Sequence, residues 1–123
     1  ASVDAVIIDR VGVLPDLYTV GHVGYVGGGF HRAGVHSVIE PAAAQLPVIF
    51  GPHYRNSSAA IDLLKGGAAK VITDAEGLAD SLLGWLEDTK EHGDATNRAF
   101  GYIQTHRGGA ERTVDALAHL LGP

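Results

Sequence analysis

The stretch 22-HVGYVGGGFHRAGVHSVIEPAAAQLPVIFG-51 decides the fold. It opens with an apolar run, His22–Gly27, that reads as a strand and ends in a triplet of glycines. Ser37–Gln45 reads as a helix, with Pro41 near its first turn, where proline is tolerated. Pro47–Gly51 is a second short apolar run bounded by turn residues. Strand, crossover helix and strand make a βαβ unit, which implies a parallel sheet with a right-handed connection.

The same alternation extends outward on both sides. Val3–Asp9 is rich in β-branched residues and reads as a buried strand, followed by a short helix over Leu14–Val20 that opens near Pro15. Downstream, Ser57–Lys65 reads as a helix started by Ser57 and Ser58 and closed by Gly66-Gly67, and Ala69–Thr73 as a further strand. From Ala75 the pattern is helical, over about 75–88, 89–105 and 108–121, with Val114, Leu117, Leu120 and Leu121 on one face of the last helix. The expected fold is α/β: a Rossmann-like parallel sheet of about four strands with flanking helices and a helical C-terminal tail. Residues 1–123 are expected to form one domain.

Composition limits what such a domain does. The 46% hydrophobic and 19% charged content is that of a globular chain. No apolar run approaches the ~20 residues of a membrane span, and no signal-peptide pattern opens the sequence. The absence of cysteine excludes disulfides and thiolate metal sites and fits a cytoplasmic chain. A net charge of -5 argues against nucleic acid as a partner. That excess sits in residues 74–123, with four basic and nine acidic side chains, whereas residues 1–73 carry five of each. An anion site is therefore expected in the first half.

The cations of that half fall in one class of position. Arg10 follows the first expected strand, Arg32 lies in the loop after the second, and Arg55 lies in the loop after the third. His31, His36 and His53 share these segments. In open parallel sheets ligands bind outside the carboxyl ends of the strands. Gly27, Gly28 and Gly29 permit positive φ and close approach of a ligand to backbone. The loop is neither a phosphate-binding P-loop nor a dinucleotide fingerprint. Gly29 and Gly34 have the P-loop spacing, but Val35-His36 stands where Lys-Ser/Thr is required, and glycine is absent at 32 and 33.

Ser37-x-x-Glu40 has two readings. It is a capping box, in which hydroxyl and carboxylate each satisfy an orphan N–H. Alternatively, Glu40 is a carboxylate placed to accept both hydroxyl protons of a ribose. The histidines lack metal-ligand spacing, so no metal is expected. No G-x-S-x-G elbow is present to carry a serine nucleophile. Trp85, beside Leu82, Leu83 and Leu86, reads as core.

VGGGFHRAGVHSVIEPAA, LPVIFGPHYRNSSAAIDLL and THRGGAERT, in that order, resemble the C-terminal domain of 3-deoxy-D-manno-octulosonic acid (Kdo) transferases. These are inverting GT-B glycosyltransferases of lipopolysaccharide inner-core synthesis. IIDRVGVLPDLYTVGHVGYVGG extends the resemblance upstream, so that it covers nearly the whole chain. The central pattern G-x-H-[N/S]-x-x-E-P is followed by P-V-x-F-G-P.

The resemblance implies a donor-binding fragment of a larger two-domain enzyme, with CMP-Kdo as donor substrate and no cofactor. Val11 and Gly12 would offer backbone groups to the cytosine. Gly34, His36 and Ser37 would lie at the phosphate, with a helix N-terminus beneath it, and Glu40 would hold the ribose. Gly27, Gly28 and Gly29 would floor the sugar site, with Arg32 nearby. Ser37 replaces the family's usual Asn and has a shorter reach, and the family's Thr-Met-Gly-Glu is replaced around Arg10–Val13.

No catalytic residue is expected in this fragment, because the family's base is a carboxylate on the N-terminal domain. The same absent domain would bring the lipid A precursor acceptor and contact the cytoplasmic face of the inner membrane. Two alternatives compete. One is a GT-B transferase or epimerase using a UDP- or GDP-sugar; the other is a non-catalytic α/β interaction module.

Overall fold

The computed structural model describes residues 21–121, with side-chain surroundings through residue 106. The elements expected at Val3–Asp9 and Leu14–Val20, together with Arg10, Val11 and Gly12, lie outside the described residues. Within them, strands β1 (Gly24–Val26), β2 (Val48–Phe50) and β3 (Ala69–Val71) form a parallel sheet in the order β1-β2-β3. Tyr25 pairs in register with Ile49, and Ile49 with Lys70. All three strands are shorter than their apolar runs. Backbone at Gly27 and Gly51-Pro52 leaves the ladder to enter loops, and proline has no N–H to extend it.

Helix α1 (Ile39–Ala43) connects β1 to β2, and α2 (Ser58–Lys65) connects β2 to β3. Both steps go the same way across the sheet, so right-handed connections set both helices on one face. There Val38 and Ala42, then Ala60 and Leu63, pack on Val26, Val48 and Phe50. The opposite face carries Ile49 and Ile72 under Trp85 of α3 (Ala75–Glu87). Trp85 is 2% exposed, as expected for core. Lys70 Nζ covers its ring at 4.3 Å from the centroid and lies 3.9 Å from Glu91. Strand β2 is buried throughout, as a central parallel strand must be.

Helix α4 (Thr89–Leu121) contributes to both faces. Ala95 joins the Trp85 cluster, whereas Ala99 and Ile103 join the α1/α2 cluster. Between them Arg98 packs on Gly67, just before β3, and His92 Nε2 lies 2.6 Å from the His22 carbonyl, just before β1. The helix therefore crosses beneath the amino-terminal ends of the strands and leaves the carboxyl rim to the loops.

Three expectations about helices are corrected. Ser37–Gln45 is helical only over Ile39–Ala43. Its C-terminus is set by Gln45, which takes φ +67 and lets Leu46 N donate to the Pro41 carbonyl at 3.0 Å, a Schellman-type 6→1 closure. The capping box is not formed: Val38 is the N-cap without a side-chain bond, and Ser37 Oγ instead accepts from Ile39 N at 3.3 Å. Finally, 89–105 and 108–121 are one helix of 33 residues. Gly108-Gly109 permits a break without imposing one, since glycine costs roughly 1 kcal/mol in a helix and keeps its N–H. The other starts agree with sequence. Ser57 Oγ accepts from Ala60 N at 3.1 Å, and Asp74 Oδ1 from Gly77 N at 2.7 Å.

Candidate functional site

The loops after β1 and β2 are built as one unit. Gly29 and Gly51 touch backbone to backbone, so that a Cβ on Gly29 would lie 2.5 Å from the Gly51 nitrogen. His53 N donates to the Gly29 carbonyl at 2.7 Å, and Val35 N donates to the His53 carbonyl at 2.9 Å. The side chain of Asn56 clamps the same point, accepting from Val35 N at 3.1 Å and donating to the Val35 carbonyl at 3.0 Å. Gly34 takes φ +91 and lies against the Asn56 amide, where no side chain would fit. Gly28, at φ +89, lies under the His36 ring. Glycine is required here by conformation and by space together.

This knitting consumes backbone donors. Gly34 N bonds the His31 carbonyl at 3.0 Å, Val35 N is taken as above, and His36 N bonds the Gly27 carbonyl at 2.9 Å. Among the described residues, the next amides without a partner are those of Ser37 and Val38. Of the residues expected at the phosphate, Gly34 and His36 thus have N–H groups that already hold the loop, whereas the N–H of Ser37 has no partner among the described residues. The helix beneath has five residues, too short to build a developed macrodipole.

Arg32, Gly34, Pro52, His53, Arg55 and Asn56 line a cleft of about 160 Å³ between the two loops. Sequence reasoning placed Arg32, His53 and Arg55 on one rim, and they share this cleft. His36, Ser37 and Glu40 do not line it; all three are exposed, one step further along the chain. Glu40 has no ion-pair partner within 4.0 Å among the described residues. Asn56 was missed by sequence reasoning. Its one signal was its position within the LPVIFGPHYRN stretch, since an asparagine before a serine-started helix otherwise reads as loop.

Arg55 lies over an aromatic ring. Its guanidinium carbon lies 5.2 Å from the Tyr54 ring centroid, and that ring lies 5.4 Å from the Phe50 ring at the end of β2. Among the described residues no group of three or more His, Asp or Glu side chains is placed to hold a metal.

A three-stranded parallel sheet with helices on both faces and glycine-rich loops at its carboxyl rim is a Rossmann-type, GT-B-like α/β fold. The solved structure of the C-terminal CMP-Kdo binding domain of WaaA from Acinetobacter baumannii has this fold. It matches with a TM-score of 0.71 and 25% identity, over 79% of this chain and 51% of that one.

The sequence is homologous to 3-deoxy-D-manno-octulosonic acid transferases, which are glycosyltransferases. It is 36% identical to the Bordetella pertussis protein over 121 residues, 98% of this chain and 28% of that protein. It is 31% identical to the Chlamydia muridarum protein over 115 residues, 93% and 27% respectively. The chain thus spans just over a quarter of the length of these relatives. No protein-family model matches it.

Proposed function

We propose that this chain is the donor-binding part of a Kdo transferase and holds CMP-Kdo at the carboxyl rim of its sheet. The observation that carries the reading is the joint one. Homology to Kdo transferases runs through 98% of the chain, and its central motif folds into the knitted loops at that rim. In this reading the Ser37 and Val38 amides and the Ser37 hydroxyl receive the donor phosphate. Glu40, exposed and unpaired among the described residues, accepts the ribose hydroxyls, and Gly28 borders the sugar site, with Gly29 buried behind it against Gly51. Val11 and Gly12 take the cytosine.

Transfer with inversion at the anomeric carbon needs a base for the acceptor hydroxyl and stabilisation of the departing phosphate. This chain supplies the second. The base and the site for the lipid A precursor belong to the N-terminal part of the parent enzyme, which works at the cytoplasmic face of the inner membrane without a metal or other cofactor. Within the described residues no helix is long and apolar enough to cross a membrane. The chain alone is expected not to transfer Kdo.

Isothermal titration tests the assignment. CMP should bind in preference to UMP, UDP and GDP, and a preference for a diphosphate would replace this reading with a UDP- or GDP-sugar enzyme. Glu40→Ala should weaken CMP binding by ~1.5–3 kcal/mol, as losing a charged hydrogen-bond partner does. Stability should change by no more than about 0.5 kcal/mol, because no cap is lost. Unchanged CMP affinity in this variant would refute the role of Glu40.

A further inference from the structure

Donor binding as proposed above needs the Ser37 and Val38 amides open, and a strong acceptor lies close to them along the chain. The Val35 carbonyl is two residues before Ser37 and three before Val38. Carbonyls take amides at these spacings in γ- and β-turns. Val35 is 5% exposed, and a buried carbonyl left unpaired is costly, so this one must bond something. Among the described residues its one donor is Asn56 Nδ2, at 3.0 Å.

The peptide plane that carries this carbonyl is held at both ends. Its oxygen receives Asn56, and the His36 N–H on the same plane donates to the Gly27 carbonyl at 2.9 Å. Asn56 Oδ1 meanwhile accepts from Val35 N at 3.1 Å, so one side-chain amide grips both backbone groups of one residue. Asn56 itself stands just before α2, whose Ala60 and Leu63 are anchored in the core. We propose, resting on the donor reading above, that Asn56 is a positioning residue for the donor phosphate. It occupies the Val35 carbonyl and so keeps the Ser37 and Val38 amides from closing a turn onto it. It acts through Val35, and the loop after β2 thereby controls whether the loop after β1 can receive an anion. Loss of the clamp should accordingly slow amide exchange at the place where general loosening would speed it.

Titration calorimetry with CMP and amide hydrogen exchange, both on the full chain, test this. Asn56→Ala should bind CMP at least about tenfold more weakly than native chain, the scale of one hydrogen bond to a charged group. Without ligand, the Ser37 or Val38 amide of this variant should exchange about fivefold or more slowly than in native chain. Asn56→Asp keeps the acceptor for Val35 N and, when ionised, lacks the donor for the carbonyl. It should show the same slowing, and it supplies the comparison if the alanine variant does not fold. Asp74→Ala removes a helix cap on the other face of the sheet and should leave CMP affinity within about twofold of native. Exchange at both amides that is unchanged or faster in the Asn56 variants would overturn the proposal. So would native-like CMP affinity in Asn56→Ala, or an equal loss in Asp74→Ala, which would reduce Asn56 to general stability. Each of these leaves the donor reading standing. Failure of native chain to bind CMP would remove that reading, and the role of Asn56 with it.

Discussion

Replacing Gly34 by alanine probes the joint between the two rim loops. At φ +91 an L-residue is strained, at a cost of about 1–2 kcal/mol. The new methyl would also occupy the place of the Asn56 amide, which must then leave. Asn56 makes two hydrogen bonds to Val35, at 3.1 and 3.0 Å. The Val35 N–H keeps the His53 carbonyl at 2.9 Å, so its loss is partial, whereas the carbonyl loses its side-chain donor. Expulsion of the clamp should therefore cost about 1–2 kcal/mol. Gly34→Ala is expected to lose about 2–4 kcal/mol in all, a large share of a small domain's stability.

Asn56→Ala alone should cost about 1–2 kcal/mol. The double variant should be no worse than Gly34→Ala, because the clamp can be lost once. The two changes thus fall short of additivity by about 1–2 kcal/mol, a coupling that urea unfolding of the four proteins would measure as a double-mutant cycle. Additive losses would mean that Gly34 and Asn56 do not share this contact, and the account of the joint would be wrong.

Gln45→Gly should raise the unfolding free energy by about 0.5–1 kcal/mol, since Gln45 occupies a left-handed C-terminal position that glycine takes without strain; a loss of stability in urea would refute the cap geometry. Tyr102 offers a pH test. Burial chiefly, then the Asp62 carboxylate and its hydrogen bond, raises the Tyr102 pKa above 10.0 in the folded chain. The unfolded chain thus releases this proton first, and the contribution, fully present below pH 10.0, is lost as pH rises through the raised value. The difference in stability between native chain and Tyr102→Phe should accordingly shift against the native chain between about pH 9 and 11, and a pH-independent difference would count against the burial of the phenol.

Local pattern carried the elements whose cause is local. The runs HVGYVG, PVIFG and AKVIT hold strands because β-branched and aromatic residues between glycine and proline signals have few other uses. Ser57 and Asp74 start helices because their side-chain oxygens reach amides three residues on. The readings that failed were those in which local signals permit more than one outcome. Ser37-x-x-Glu40 has capping-box spacing, yet the helix starts at Ile39 and Glu40 stays exposed. Gly108-Gly109 can end a helix, and here it does not. Gln45 carries no sequence mark of a left-handed residue, although it sets where α1 stops.

For the site, the strand-end rule put Arg32, His53 and Arg55 on one rim from sequence, and the resemblance carried by G-x-H-[N/S]-x-x-E-P and P-V-x-F-G-P pointed to the sugar-nucleotide reading. Which groups are available to a ligand was a different matter. Asn56 lies 21 residues from Val35, and Gly29 meets Gly51 across two loops. Such contacts have no local signature, because their partners are brought together by the sheet. The amides of residues 34–36 are spent by those same contacts. Sequence by itself determined the order of the described strands and the kinds of side chain in the loops after them, since periodicity and turn chemistry act over a few residues. The tertiary structure alone decided which donors remain open and which cations line one cleft, since both depend on how separate loops pair once the strands are in register.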